Sequence, residues 1–167
     1  MEFQVIQGDI AAQQADALVN AANTGLQMGS GVAGALRRAA GDAINDEAVA
    51  KGPVALGDVA VTEGYDLDAE FVIHAAAMPA GGQATADSIR DATQNTLAEA
   101  DALDCESLVM PALGTGVAGF ALEDGARIIC EEIAAYDPER LTDVSFVAYS
   151  DEDYETIRRV AEDVRSR

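Results

Sequence analysis

The segment Leu108–Phe120 constrains the fold of this chain more than any other stretch. Its apolar start, Leu108–Met110, predicts a short buried strand, and the glycines after it predict a loop that leads into an amphipathic helix near Ala121. This order places free backbone N–H groups and a helix N-terminus at the end of a strand, where they can bind a phosphate without a basic side chain. A second glycine-rich loop, Gly29–Gly34, repeats the arrangement earlier in the chain. Two such loops in one small domain predict a ligand that carries a diphosphate.

Predicted strands and helices alternate along the chain. With 167 residues it is expected to form one domain, 1–167, with a full core. The alternation predicts an α/β fold whose mostly parallel, mixed sheet is covered by helices on both faces. In such sheets ligands lie beyond the carboxyl ends of the strands, where Asp9, Asn23, Pro79–Gly82 and the two glycine loops are expected to converge. The other predicted strands are Phe3–Gln7, Asp16–Asn20, Asp58–Thr62, Glu70–Ala76 and Leu141–Tyr149, and the helices are Val32–Ala40, Asp42–Ala50, Thr85–Leu103, Leu122–Tyr136 and Asp151–Arg165.

The charge balance is strongly acidic. Thirty acidic residues against ten basic ones give a formal net charge of −20, and Lys51 is the only lysine. Repulsion on this scale destabilises the compact state at low salt, and screening relieves it because the Debye length falls to about 3 Å at molar ionic strength. We therefore expect a salt-adapted protein, with a merely acidic protein as the alternative. A nucleic-acid partner is not expected, since it requires basic patches.

The chain lacks the features of an exported, membrane-bound or metal-binding protein. No apolar run approaches about 18 residues and no basic-apolar signal begins the chain, which predicts a soluble cytoplasmic protein without a membrane partner. Cys105 and Cys130 have no metal-ligand spacing and are expected to be buried free thiols. His74 is the only histidine. It has no second histidine or clustered thiols beside it, so it is expected to be a core residue, and neither a metal nor a cofactor is expected.

Several polar residues have two interpretations at the local level. Asp9 follows the first strand and is typical of a cap on a short helical turn at Ala11–Gln14, although its carboxylate can also accept from a ligand amino group. Asn20 favours a turn. Asn23 lies nearer the first glycine loop, where its amide can bind a sugar hydroxyl. Arg37 and Arg38 are typical of solvated helix residues, with contact to an anion as the alternative.

Two familiar nucleotide-binding motifs fit poorly. Both glycine loops read Gly-x-Gly-x-x-Gly, but the first begins too far beyond Asn20 for the tight strand-to-helix turn of a dinucleotide-binding fold. After the second loop, the acidic residue near Glu139 precedes the next strand instead of ending it. Neither loop carries the Gly-Lys-Ser/Thr of a P-loop, and no serine lies on a Gly-x-Ser-x-Gly elbow.

Taken together, four segments resemble the motifs of the macrodomain family, in the family's order and spacing. They are Gly8–Ile10, Val19–Asn23, Met28–Gly34 and Pro111–Phe120, and Val72–Ala76 resembles the family's internal strand. The resemblance covers nearly the whole chain. It implies a three-layer α/β/α sandwich that binds ADP-ribose.

The resemblance also implies roles for individual residues. Asp9 would accept from the adenine amino group with Ile10 beside it, Asn23 would bind the distal ribose, and Phe120 would lie against that ribose. Backbone N–H groups of the two loops would hold the diphosphate. The full implied ligand set is Asp9, Ile10, Asn20, Asn23, Gly29, Ser30, Gly31, Val32, Ala33, Gly114, Thr115, Gly116, Val117, Ala118, Gly119 and Phe120.

The activity implied by the resemblance is hydrolysis of ADP-ribosyl esters, either mono-ADP-ribosylated carboxylates or O-acetyl-ADP-ribose. Asn23 would be the catalytic residue that orients the sugar, and a diphosphate oxygen would help to position the attacking water. Two departures weaken this expectation. Ala33 stands where the best-studied hydrolase branch has an aspartate, and Ala118 stands where that branch has an aromatic residue. Both leave the backbone donors intact, so a non-catalytic ADP-ribose reader is the alternative.

Overall fold

The computed structural model describes residues 1–116 and 119–167. Within them, six strands form a single sheet in the order β1-β6-β5-β2-β4-β3. All neighbouring strands pair in parallel except β3, the outermost strand on one side of the sheet, which runs antiparallel to β4. The mixed, mostly parallel sheet expected from the sequence is therefore confirmed. The strands are β1 (Gln4–Gln7), β2 (Ala17–Asn23), β3 (Val59–Glu63), β4 (Phe71–Met78), β5 (Ser107–Met110) and β6 (Asp143–Ala148).

Helices cover both faces of the sheet, as the alternating strands require. The helices are α1 (Gly31–Ala40), α2 (Ala43–Lys51), α3 (Ala86–Ala102), α4 (Leu122–Ala135) and α5 (Asp151–Arg165), with a 3-10 helix at Ile10–Ala12. Successive residues of β2 point to opposite faces: Leu18 packs with Leu36 of α1, whereas Val19 packs with the core that includes Ile89 of α3 and Ile129 of α4. The molecule is therefore a three-layer α/β/α sandwich.

The long helix α3 begins with a capping box and is bonded to the end of β4. The Thr85 hydroxyl accepts from the Ser88 amide at 3.0 Å, and the Ser88 hydroxyl accepts from the Thr85 amide at 2.8 Å. The same Ser88 hydroxyl donates to the carbonyl of Ala77 in β4 at 2.6 Å. These bonds hold the loop between β4 and α3, which leaves the sheet at the edge where the glycine loops lie.

Cys105 and Cys130 are free and buried, which confirms the prediction, and burial raises the pKa of the Cys130 thiol to about 12. Within residues 1–116 and 119–167, none of the helices combines the length and the apolar composition needed to cross a membrane.

Candidate functional site

The loops that follow β1, β2, β4, β5 and β6 all leave one edge of the sheet, because these strands are parallel. Hydrogen bonds tie neighbouring exits together. The Gly8 amide donates to the carbonyl of Ala148 at 2.9 Å, which joins the ends of β1 and β6. The Thr24 amide donates to the carbonyl of Met78 at 3.1 Å, and the Ala80 amide donates to the Thr24 hydroxyl at 3.1 Å. The carboxyl ends of these five strands therefore form a rim that carries both glycine loops.

The first glycine loop ends at the N-terminus of α1. Ser30 is the N-cap residue in extended conformation, its side chain makes no capping bond, and Gly31 begins the helix with a φ of 61°. Gly29, Ser30 and Gly31 are exposed. Among the described residues no acceptor reaches the amides of Gly31, Val32 or Ala33, which are the donors left open in the first helical turn. The Ala33 methyl group points into the core, so this residue can offer a ligand only its backbone.

The second glycine loop presents its backbone in a similar way. Gly114 and Gly116 have φ values of 70° and 73°, in the left-handed region of backbone conformation that favours glycine. The amides of Thr115 and Gly116 have no acceptor in the described part of the chain, while the Gly119 amide bonds to the carbonyl of Gly116 at 3.3 Å. Two loops with open donors therefore lie on the same edge of the sheet.

Helix α4 supports the second loop through a glycine. A Cβ added at Gly125 would lie 2.8 Å from Cγ2 of Thr115 and 3.5 Å from the ring of Phe120, so both side chains rest against bare helix backbone. Phe120 is partly exposed and packs at the margin of the core. The implied ligand residues Val117 and Ala118 lie outside the described residues.

Asn23 lies at the end of β2, beside Met78 of β4, where the strand register shifts. Its Oδ1 accepts from the amides of Gly25 at 2.9 Å and Leu26 at 3.1 Å. The turn that leads toward the first glycine loop is therefore built on this carboxamide oxygen. The Nδ2 group has no acceptor among the described residues, so it remains a donor at the rim.

Asn20 differs from the sequence predictions in its backbone conformation and in the direction of its side chain. The sequence favours a turn at Asn20, but β2 continues because Ala21 and Ala22 pair with Ala75 and Ala76 of β4. The implied ligand set also contains Asn20, yet its side chain is only 1% exposed and its Nδ2 lies 3.0 Å from Nδ1 of His74. Asn20 is therefore a buried partner of the histidine and does not face the rim.

His74 is a core residue, as predicted. It is fully buried, and its Nε2 lies 2.9 Å from the hydroxyl of Thr62 in β3. Because the Thr62 hydroxyl also donates to the carbonyl of Glu63, the ring nitrogen is assigned as the donor in this contact. Desolvation lowers the pKa of His74 to about 4, so the ring is neutral at ordinary pH.

Asp9 caps the first short helical turn. Its Oδ1 accepts from the Ala11 amide at 2.9 Å and caps the 3-10 helix, as the sequence favours. The residue is exposed, and its Oδ2 has no donor among the described residues. The Ile10 side chain is 5% exposed and packs in the core, so its backbone is the part that can face a ligand.

Tyr149 is a residue of this edge that sequence reasoning missed. It directly follows β6 and is 79% exposed, the most exposed large hydrophobic side chain of the described residues. Its position next to Ala148 places it beside the Gly8–Asp9 turn. A signal was available in the sequence, since an aromatic residue directly after an apolar strand lies at the ligand edge of a parallel sheet.

Two open depressions on the described surface lie away from this rim, on either side of α3. One is lined by Asp58, Asn95 and Glu99, and the other by Gln94, Glu132 and Asp137, among others. Both contain carboxylates that would repel a phosphate. No group of three or more His, Cys, Asp or Glu side chains in the described residues is arranged to hold a metal ion.

The fold and the rim define a class of protein: an α/β/α domain that offers open backbone donors to an anionic ligand. The family model described as Macro domain matches residues 19–129, and the chain belongs to that family. An uncharacterized protein of Mycobacterium tuberculosis is 41% identical over 151 residues, which cover 90% of this chain and 42% of that protein. An uncharacterized protein of Saccharolobus solfataricus is 40% identical over 164 residues, 96% of this chain and 92% of that protein. The chain thus spans less than half of its mycobacterial relatives.

Solved structures of macrodomains have the same architecture. The Oceanobacillus iheyensis macrodomain with MES bound superposes with a TM-score of 0.87 at 24% identity, covering 97% of this chain and 91% of that one. The Trypanosoma brucei macrodomain in complex with ADP-ribose superposes with a TM-score of 0.83 at 28% identity, covering 93% of this chain and 67% of that one. The resemblance to macrodomains noted in the sequence is therefore confirmed at the level of family and fold.

Proposed function

We propose that this chain binds ADP-ribose at the rim formed by its two glycine loops and hydrolyses ADP-ribosyl esters. The substrates are mono-ADP-ribosylated carboxylates or O-acetyl-ADP-ribose. The observation that carries the proposal is a set of backbone donors that have no acceptor within residues 1–116 and 119–167: Gly31 and Val32 at α1, and Thr115 and Gly116 after β5. Two such groups on one edge match the two phosphates of a diphosphate. The Trypanosoma brucei macrodomain, 28% identical to this chain, is known in complex with ADP-ribose.

The adenine end of the ligand is assigned to the β1 and β6 side of the rim. One carboxylate oxygen of Asp9 is used by the Ala11 amide, and the other is available to accept from the exocyclic amino group of adenine. The exposed ring of Tyr149 stands next to this turn and offers an aromatic face on which the base can stack. Binding at this end then fixes the direction in which the diphosphate and the distal ribose extend.

The distal ribose is assigned to Asn23 and Phe120. Because Oδ1 of Asn23 is held by two backbone amides, its Nδ2 is oriented to donate to a ribose hydroxyl. A water positioned by a diphosphate oxygen attacks the ester carbonyl carbon, the acyl–oxygen bond breaks, and the carboxylic acid and ADP-ribose with a free hydroxyl are released. This is catalysis by placement, in which orientation alone supplies a large part of the rate.

A reader without turnover is the second candidate function. Ala33 supports it, because a methyl group pointing into the core supplies no general base at the first loop. The backbone donors that hold the diphosphate are unaffected by this residue. Binding would then survive while the hydrolytic step would be absent.

Turnover by the wild type separates the two candidates, and substitution of Asn23 tests the assigned mechanism. Asn23→Asp keeps an oxygen that accepts from the Gly25 and Leu26 amides but removes the Nδ2 donor, whereas Asn23→Ala removes both. With a peptide ADP-ribosylated on glutamate as substrate, we expect Asn23→Asp to lower kcat/KM by about 100-fold, as misplacement of the sugar requires. Thermal unfolding of both variants is the control, because only Asn23→Ala also loses the turn.

Two results would redirect the assignment. Turnover that is unchanged in Asn23→Asp would remove Asn23 from the catalytic mechanism. ADP-ribose binding by the wild type without any release of ADP-ribose from the modified peptide would favour the reader.

A further inference from the structure

One arginine beside the first glycine loop has no ionic partner in the part of the chain that the structure describes. Eight of the ten basic residues have a carboxylate oxygen within 4.0 Å, as expected in a chain of net charge −20. The other two are Arg38 and Arg165. The Arg165 guanidinium donates to the carbonyl of Phe3 and stacks on its ring at 4.4 Å from the centroid. Arg38 is exposed and has neither an ion pair nor a hydrogen bond within the described residues.

The position of Arg38 is set by a glycine one helical turn earlier. Nη1 of Arg38 lies 3.3 Å from the point where a Cβ at Gly34 would stand, and the carbonyl oxygen of Gly29 lies 3.4 Å from that point. The guanidinium therefore folds back along α1 toward its N-terminus and lies against the first glycine loop. A side chain at position 34 would fill the space in which these groups approach each other.

The Arg38 guanidinium therefore lies where a positive charge can attract an anionic ligand. A diphosphate approaching a protein of net charge −20 is repelled over the whole surface, and backbone amides carry only partial charges. We infer that Arg38 is the side chain that attracts and holds the diphosphate of the ligand at the first glycine loop, acting as a specificity-determining residue for diphosphates. The neighbouring Arg37 forms an ion pair with Asp42 at 3.0 Å and donates a hydrogen bond to the carbonyl of Met28. The inference rests on the proposed function, because it assigns a residue to the same ligand.

The test compares two variants with the same change of charge at opposite edges of the sheet. Arg38→Gln removes the charge beside the loop. Arg140→Gln removes an exposed charge that precedes β6, where Arg140 pairs with Asp104 at 3.6 Å. Calorimetric titration with ADP-ribose and with ADP is made on both variants and on the wild type, in about 0.1 M KCl and in molar KCl, where the Debye length falls from about 10 Å to about 3 Å.

In the low-salt arm we expect Arg38→Gln to weaken ADP-ribose and ADP by the same factor, about three- to fivefold, as for a solvent-exposed charge pair. The loss should shrink in molar KCl, and Arg140→Gln should bind as the wild type does. Melting temperatures of the two variants control for folding.

Three outcomes would overturn the inference. An equal loss in Arg140→Gln would assign the effect to net charge, and a loss for ADP-ribose alone would assign Arg38 to the distal ribose. Unchanged binding in Arg38→Gln would make it a solvated helix residue. Failure of the wild type to bind ADP-ribose would refute the proposed function as well, so the two failures are distinguishable.

Discussion

The amino-terminal and carboxyl-terminal edges of the sheet differ in whether the backbone N–H groups of their loops have acceptors within the described protein. At the amino-terminal edge, Asp101 accepts from the amides of Glu139, Arg140 and Leu141 at 2.8–3.1 Å and from the Tyr136 hydroxyl at 2.7 Å. At the carboxyl-terminal edge, the amides of the two glycine loops have no such acceptor among the described residues. At the amino-terminal edge the protein therefore supplies the anion that consecutive amides bind, whereas the described amides of the two glycine loops remain open.

Asp16 repeats the pattern of the amino-terminal edge. Its Oδ2 accepts from the amides of Glu106 at 2.8 Å and Ser107 at 3.2 Å, and its own amide donates to the Ser107 hydroxyl at 2.8 Å. These contacts fix the start of β5 beside the start of β2. At the amino-terminal edge, carboxylates of the chain thus satisfy loop amides that the described part of the carboxyl-terminal edge leaves open.

The largest expected effect is on stability, at the amino-terminal edge where Asp101 accepts from loop amides. Asp101→Asn places an amide group where four donors converge, so we expect a loss of about 1–3 kcal/mol in the free energy of unfolding. Denaturant unfolding measures it. Asp137→Asn is the matched control, because it makes the same charge change at an exposed residue nearby.

The pH dependence of this loss sharpens the prediction. Partial burial by itself raises the pKa of Asp101, but the bonds from Tyr136 and from the three amides outweigh it and lower the pKa from 3.8 to about 2. A lowered folded-state pKa gives stability that is present above the unfolded value and lost as the pH falls through the folded value. The wild type should therefore exceed Asp101→Asn in stability at pH 7 and lose this advantage between about pH 4 and pH 2. A difference that does not change with pH would contradict the role of the carboxylate.

The next expected effect is on ligand affinity, at the second glycine loop of the carboxyl-terminal edge. Gly125→Ala adds a methyl group 2.8 Å from Cγ2 of Thr115, which should displace the second loop without touching the ligand. We expect ADP-ribose affinity to fall by about tenfold, a cost of about 1.4 kcal/mol. Alanine is the better helix former by about 1 kcal/mol, so the melting temperature should not fall by a comparable amount. Unchanged affinity would show that Thr115 has no part in binding.

The smallest expected effect concerns neither edge alone. If the net charge of −20 reflects salt adaptation, the melting temperature should rise as KCl goes from millimolar to molar, because screening relieves repulsion over the whole surface. The difference between the wild type and Asp101→Asn should change little, since hydrogen bonds carry it. A flat or falling melting temperature in KCl would refute salt adaptation.

Sequence reasoning recovered the fold because its signals are local. Apolar runs and helical periodicity predicted the strands and helices, and the predicted boundaries lie within three residues of those observed. The largest difference, at the end of β2, came from treating the small residues Ala21 and Ala22 as part of a turn. These residues instead continue β2, because their backbone pairs with β4 up to Asn23.

The parts that escaped prediction depend on contacts between residues far apart in the chain. Asp101 meets its amides 38 to 40 residues later, and Asn20 meets His74 after 54 residues. Nothing near Asp101 or Asn20 in the sequence distinguishes them from a solvated acid or a turn residue. Asp9 and Asn23, by contrast, bond within three residues, and their local interpretations could be made from the sequence.

Calorimetric titration of the wild type with ADP-ribose in molar KCl, beside AMP, tests the central claim most directly. If the open amides of the two loops hold a diphosphate, ADP-ribose should bind at micromolar concentration or more tightly, about −8 kcal/mol, and AMP much more weakly. A folded sample that does not bind ADP-ribose, or that binds AMP equally well, would contradict the assignment of the carboxyl-terminal edge to a diphosphate ligand.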